Sequence, residues 1–260
     1  MNKQRFDIIG CALLGMRSVF AERRYLLAAA LMPVGVTALI ELLKIYGIQD
    51  PSILSETLTM LPTGAAAAWF MFLQTRLLVF GERAEAVPPE NILPRRRAFE
   101  TSALLWLLLQ MALLGMVAFM MYWARATQSG DVGSLVNVAG YLLLGASFWA
   151  LRLGVVHILG AIGYSIREYI FQVNGIMVSV RLLGLMMCIS FPLALLASPL
   201  SAALFGALQD IASVSPLQMA GLVSLNIILK YLLFALLNAA AVFALRQMLG
   251  QNGAQRGIPA

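Results

Sequence analysis

The chain has 260 residues, of which 61% are hydrophobic and 12% are charged, and its formal net charge at pH 7 is +6. An ordinary soluble domain carries about twice that share of charged residues, so the composition excludes a soluble enzyme and indicates a protein embedded in a bilayer. Basic residues beside apolar spans are what membrane insertion requires. The positive charge therefore favours membrane topology over a nucleic-acid partner.

The first 24 residues predict an amphipathic helix that lies on the inner leaflet. Its apolar residues recur at spacings of three and four, with charged residues elsewhere on the helix wheel. These apolar residues are Phe6, Ile9, Leu13, Met16 and Phe20. Cys11 follows "IIG", but the preceding stretch contains Asp7 and lacks an apolar region. We therefore expect neither lipidation nor a cleaved signal peptide.

Six apolar segments follow, each long enough for the hydrocarbon core, which needs about 20 residues per helix. They are residues 25–47, 57–80, 101–123, 135–161, 176–198 and 219–246. None alternates between apolar and polar residues, so helices must pair the backbone. The sequence predicts an all-α polytopic integral membrane protein, with a six-helix transmembrane domain over residues 25–248. A flexible cytoplasmic tail, 249–260, would follow it.

Two further interfacial helices are expected, around residues 164–175 on the inner side and 200–211 on the outer side. Pro199 and Pro216 bracket the outer one, as prolines do at helix starts and beyond helix ends. Twelve basic residues fall in the segments on the inner side of this topology, whereas the opposite loops contain Arg125 alone. This bias predicts that both termini are cytoplasmic.

Two charges inside the predicted spans share a depth. Glu41 follows Arg24 by 17 residues and Lys230 precedes Arg246 by 16, so both lie about 25 Å from the inner anchors. A charge near the middle of a span costs about 2.5–3.5 kcal/mol. We therefore expect a Glu41–Lys230 ion pair between spans one and six. Lys44, three residues after Glu41, is an alternative partner within the same helix.

A second charged group lies nearer the cytoplasm. Arg76, Arg152 and Arg181 occupy the inner parts of spans two, four and five. Together with His157 they predict a basic pocket for an anionic lipid headgroup. The alternative is that the arginines are anchors whose charged ends reach the membrane surface. With one His in the chain, no metal site is expected.

No catalytic or phosphate-binding motif is present, and no His set suits haem. We therefore expect no catalytic residue, no cofactor and no enzymatic activity. The leading interpretation is an inner-membrane protein that binds anionic lipid, a membrane-protein partner or a second copy of itself, in envelope maintenance or complex assembly. The alternative is a small-solute or ion transporter with a cavity near Glu41, Lys230 and Arg152.

The layout resembles a known group. The N-terminal amphipathic helix, the six spans, "RLLVFGER" closing span two, the inner amphipathic segment before span five and "FALRQML" closing span six are similar to the YciC-like group of small bacterial inner-membrane proteins. The resemblance covers nearly the whole chain. It implies a bacterial cytoplasmic membrane and assigns no functional residue.

Overall fold

The computed structural model describes residues 6–47, 53–84, 92–128, 138, 140–143, 145, 151–172, 176–209 and 214–253. Every regular element in these ranges is helical. The α-helices are α1 (Ile8–Ala21), α2 (Arg23–Gly47), α3 (Ile53–Phe80), α4 (Ile92–Gln128), α5 (Val156–Ile162), α6 (Ile166–Gln172), α7 (Ile176–Gln209) and α8 (Pro216–Gly253). A 3-10 turn, Leu151–Val155, leads into α5. The all-α prediction is confirmed for this part of the chain.

Five of these helices, α2, α3, α4, α7 and α8, are long and apolar enough to cross a membrane. They coincide with five of the six predicted spans, which is the pattern of a multi-pass membrane protein. Of the fourth predicted span, 135–161, the structure describes residues 138, 140–143, 145 and 151–161. Its inner end is the 3-10 turn and α5. The predicted tail begins inside α8, which continues to Gly253.

Helix α7 differs from the expectation at Pro199. Instead of ending there, the helix continues through Pro192 and Pro199 to Gln209. Proline at position 199 cannot donate to the carbonyl of Leu195, four residues earlier. The Ser198 hydroxyl donates to that same carbonyl oxygen at 2.9 Å. Because this side chain replaces the missing backbone donor, the helix has no need to stop.

Helix α8 is the centre of the bundle and packs against α1, α2, α3 and α7. Its buried residues include a set of alanines, which permit close approach of neighbouring helices. They are Ala235, Ala239, Ala240 and Ala244. The closest approach involves Gly15 of α1, where an added Cβ would lie 2.8 Å from the backbone nitrogen of Ala240. Helix α1 is therefore docked on α8 through small residues.

Docking divides the apolar residues of α1 between two faces. Cys11, Ala12 and Gly15 are buried against the bundle. Ile9, Leu13 and Phe20, part of the stripe predicted to enter the leaflet, are more than half exposed. At 14 residues, α1 is too short to cross a bilayer. Its exposed face suits an interfacial position, which remains a prediction.

Candidate functional site

A cavity of about 320 Å³ lies between α2, α3, α4 and α8, and we call it the Lys230 cavity. Its polar lining residues are Thr37, Thr63, Gln110, Lys230 and Tyr231. The remaining lining residues are apolar, including Phe234 at one wall. A mostly apolar cavity with a few polar groups is typical of a small-molecule site, and this volume is near the lower end of the usual range.

Lys230 supplies the charge of this cavity. Its Nζ lies 5.8 Å from the centre of the Phe234 ring, at cation–π distance. The ion pairs between described residues join Glu41 to Lys44, Arg76 to Glu82, Arg83 to Glu22 and Arg96 to Glu100, and none includes Lys230. Lys230 is exposed in the structure, and an ionisable residue within a predicted span is by default a functional-site hypothesis.

Glu41 is paired within its own helix. Its Oε2 lies 3.8 Å from Lys44 Nζ, so the described residues form the alternative pair and not the expected Glu41–Lys230 pair. Residues three apart on a helix already face each other, whereas an interhelical pair needs two helices rotated correctly. Glu41 is not among the residues that line the Lys230 cavity.

Neutral hydrogen bonds connect α2 to α8 instead. The Tyr231 hydroxyl donates to the Pro33 carbonyl oxygen at 3.3 Å and lies 3.0 Å from Thr37 Oγ1. All three residues are buried. This contact forms one wall of the cavity and was missed from the sequence.

An aromatic layer lies next to the cavity, toward the C-terminal end of α8. The Phe234 ring makes edge contacts with Trp106 at 5.7 Å and with Tyr231 at 5.9 Å between ring centres. On its other side, Trp106 contacts the His157 ring at 5.1 Å. Lys230 and Phe234 lie four residues apart, so they share one face of α8.

A cluster of neutral polar side chains lies beyond the aromatic layer. Asn238, the next residue at a spacing of four on α8, has its Nδ2 3.0 Å from Gln74 Oε1 and 3.1 Å from Thr75 Oγ1. Gln74 Nε2 in turn donates to the Ala235 carbonyl oxygen at 2.7 Å. These side chains are almost fully buried, and their mutual bonds connect α3 to α8.

His157 belongs to this cluster and not to a basic pocket. Its Nε2 lies 3.2 Å from Asn238 Oδ1, and its Nδ1 lies 3.0 Å from the Gly154 carbonyl oxygen. Both ring nitrogens are engaged within the protein. The His157 side chain is 6% exposed, which leaves it no access to a lipid headgroup.

The predicted arginines also have protein partners where their side chains are described. Arg76 Nε donates to Glu82 Oε2 at 2.9 Å, and its Nη1 donates to the Ala161 carbonyl oxygen at 3.2 Å. Arg181 Nη1 donates to the Phe6 carbonyl oxygen at 3.1 Å. The side chain of Arg152 lies outside the described residues. The described hydrogen bonds of Arg76 and Arg181 are therefore made within the protein itself.

Two buried polar atoms on α4 have no hydrogen-bonding partner among the described residues. They are Nε1 of Trp106 and Oε1 of Gln110. The two residues lie four apart on α4 and so share a face. Gln110 also lines the Lys230 cavity. In the sequence, Trp106 and Gln110 are four residues apart on α4. Lys230 and Phe234 have the same spacing on α8. This spacing is the signal that could have identified them.

Comparison of the chain with protein-family models, with curated proteins and with solved structures gives no match. The resemblance to the YciC-like group therefore remains a prediction from sequence layout. Among the described side chains, no three His, Cys, Asp or Glu residues are grouped so as to hold a metal ion. The basis for a functional interpretation is the geometry of the Lys230 cavity.

Proposed function

We propose that the protein is a non-enzymatic multi-pass membrane protein that binds the anionic headgroup of a membrane amphiphile in the Lys230 cavity. The observation that carries this proposal is Lys230 itself. It presents an ammonium group to a mostly apolar cavity, and the described part of the chain gives that group no carboxylate partner. Lys230 is exposed on the helix bundle, on a predicted span whose surroundings are lipid, and a cation there gains most from an anion that reaches it where water is scarce.

The size of the cavity favours a headgroup over a whole lipid. Its 320 Å³ corresponds to about ten water-sized groups, since each takes about 30 Å³ in the liquid. That space accommodates a phosphate or carboxylate with a few attached atoms. Leu113 and Leu114 line the cavity and are also substantially exposed. An acyl chain can therefore extend over them into the surrounding bilayer.

Lipid binding at the arginines predicted near the cytoplasm is less well supported. The described contacts of Arg76 and Arg181 use carbonyl oxygens and Glu82 of the protein itself. A headgroup would have to displace those partners. The transporter interpretation is also less favoured. The aromatic layer and the hydrogen-bonded cluster follow the Lys230 cavity along α8, and a solute would have to pass through them. Binding requires no path through them.

The same proposal places the protein in a bacterial cytoplasmic membrane, with six spans and both termini in the cytoplasm. The distribution of Lys and Arg and the layout of the YciC-like group support this placement. The exposed face of α1 would then lie in the inner leaflet. A role in envelope maintenance or complex assembly follows from lipid binding without catalysis, alone or with a membrane-protein partner or second copy.

Native mass spectrometry of the detergent-solubilised protein tests the proposal. We expect the wild-type protein to bind an anionic phospholipid at least tenfold more tightly than phosphatidylcholine of the same acyl chains. The Lys230→Gln variant should lose this preference. The Lys44→Gln variant is the matched control, because it removes the same charge from a lysine outside the cavity lining. Equal anionic preference in wild type and Lys230→Gln would contradict the proposal.

A further inference from the structure

The two unpartnered atoms of α4 indicate which headgroup the cavity takes. Among the described residues, Trp106 Nε1 is a donor without an acceptor, and Gln110 Oε1 is an acceptor without a donor. Each buried polar atom left unpaired costs about 1–3 kcal/mol. One group satisfies both if it accepts a hydrogen bond and donates another. A hydroxyl is the simplest such group.

The position of these atoms connects them to the charge. Gln110 lines the cavity together with Lys230 and Phe234. The Phe234 ring lies 5.7 Å from the Trp106 ring and 5.8 Å from Lys230 Nζ. The ammonium group and the α4 polar pair are therefore neighbours across one aromatic ring. Gln110 lines the same cavity as Lys230, and Trp106 adjoins that cavity through its contact with Phe234.

Gln110 Oε1 packs against helix α3 at Gly64. A Cβ at this position would fall on Gln110 Oε1, so the amide oxygen lies directly against the α3 backbone. Rotation about the last bond of the Gln110 side chain exchanges its oxygen and nitrogen. A hydroxyl can accept from the nitrogen or donate to the oxygen, so it fits either orientation. A group that only accepts, or only donates, fits one orientation.

We infer that Trp106 and Gln110 bind a hydroxyl of the amphiphile whose anionic group pairs with Lys230, which selects hydroxylated anionic headgroups of the phosphoglycerol type. This inference rests on the proposed function and adds a second recognition element to it. Lys230 would supply the preference for charge. The α4 pair would supply the preference for the hydroxyl.

The test compares phosphatidylglycerol, phosphatidylethanol and phosphatidylcholine with identical acyl chains, by native mass spectrometry titration of the full-length protein. The first two lipids carry the same charge, and only the first has headgroup hydroxyls. We expect wild type to bind phosphatidylglycerol about tenfold more tightly than phosphatidylethanol, the effect of one good hydrogen bond. This comparison within the wild-type protein depends on no variant folding correctly.

Variants then assign the preference to residues. Gln110→Leu and Trp106→Phe should each bind phosphatidylglycerol only as tightly as phosphatidylethanol, with phosphatidylethanol binding unchanged. Trp106→Phe keeps an aromatic ring and removes the N–H. Trp69→Phe is the matched control, since Trp69 belongs to a separate aromatic group with Phe72 and Phe99. It should keep the tenfold ratio.

The outcomes separate the two proposals. Equal wild-type affinity for phosphatidylglycerol and phosphatidylethanol, both above phosphatidylcholine, would overturn the hydroxyl inference and leave the Lys230 proposal standing. Equal affinity for all three lipids would overturn both. A tenfold ratio that persists in Gln110→Leu and Trp106→Phe would show that the hydroxyl is bound elsewhere, and this too would overturn the inference.

Discussion

The Tyr231 hydroxyl on α8 lies 3.0 Å from Thr37 Oγ1 on α2. This neutral contact lies one residue beyond Lys230 and joins the two helices for which the sequence predicted an ion pair. Burying neutral hydroxyls that bond each other costs far less than burying opposite charges, which must first lose their hydration. In the structure, α2 and α8 are therefore joined here by a neutral contact, while Glu41 pairs with Lys44.

Replacing Tyr231 by Phe should lower the free energy of unfolding by about 1 kcal/mol, because interhelical hydrogen bonds in membrane proteins contribute about 0.6 to 1.7 kcal/mol. The ring and its contact with Phe70 would remain. Denaturant unfolding of the purified protein in detergent measures the change. Tyr122→Phe is the control, since Tyr122 is 63% exposed, and it should leave stability unchanged. Equal effects of the two variants would contradict the contact.

The sequence predicted the spans well and their partners poorly, for one physical reason. Hydrophobicity over about 20 residues identifies a span whatever its neighbours are, and α2, α3 and α7 begin or end close to the predicted limits. The depth of Glu41 and Lys230 follows from helix rise alone. Their pairing depends on how each helix is rotated about its axis, which depth does not specify. The pairing of Glu41 with Lys44 does not depend on that rotation, because both residues lie on one helix.

The polar side chains of the bundle show the same limit. Asn238 is bonded to Gln74 and Thr75 of α3, a cluster that the sequence did not predict. The residues around Asn238 contain no sequence signal that this part of α8 packs against Gln74 and Thr75 of α3. Similarly, the proline rule predicted a break at Pro199, but the hydroxyl of Ser198 compensates for the missing donor.

Asn238→Ala should reduce stability by at least about 2 kcal/mol, because it leaves Gln74 Oε1, a buried acceptor, and the His157 ring without their partner. Asn226→Ala is the matched control on the same helix. Asn226 is half-buried, so its truncation should cost less than about 0.5 kcal/mol. Thermal unfolding in detergent compares the two. A similar melting temperature for both variants would show that the cluster does not hold α3 to α8.

Gly15→Ala should weaken the docking of α1 on α8. The new Cβ would lie 2.8–3.0 Å from the backbone nitrogen, Cα and Cβ of Ala240, so the helices must separate, at a cost of about 1–3 kcal/mol. Gly35→Ala is the matched control, because a Cβ there meets no atom within 4 Å. It should be neutral or stabilising, since Ala favours a helix more than Gly. Proteolysis of the N-terminal segment measures the release of α1.

Cys11 provides a pH-dependent test of the same docking. Burial first, and the Asp7 carboxylate second, raise the pKa of the Cys11 thiol from its ordinary value of 9.0 to about 11. The reactive form is the thiolate, and a raised pKa reduces its population at any pH below 11. At pH 8 the docked thiol should therefore react at least about a hundredfold more slowly than an ordinary one, since its side chain is also fully buried.

The measurement uses a Cys188→Ala background, in which Cys11 is the remaining thiol, and follows its rate of reaction with a water-soluble maleimide. We expect the rate to rise about tenfold per pH unit and to level off near pH 11. Asp7→Asn removes the weaker cause, so the plateau should move to a lower pH while burial still holds it above 9. Gly15→Ala weakens the docking and should lower the plateau from about 11 toward 9. A wild-type plateau near 9 would mean that α1 does not bury Cys11 against α8.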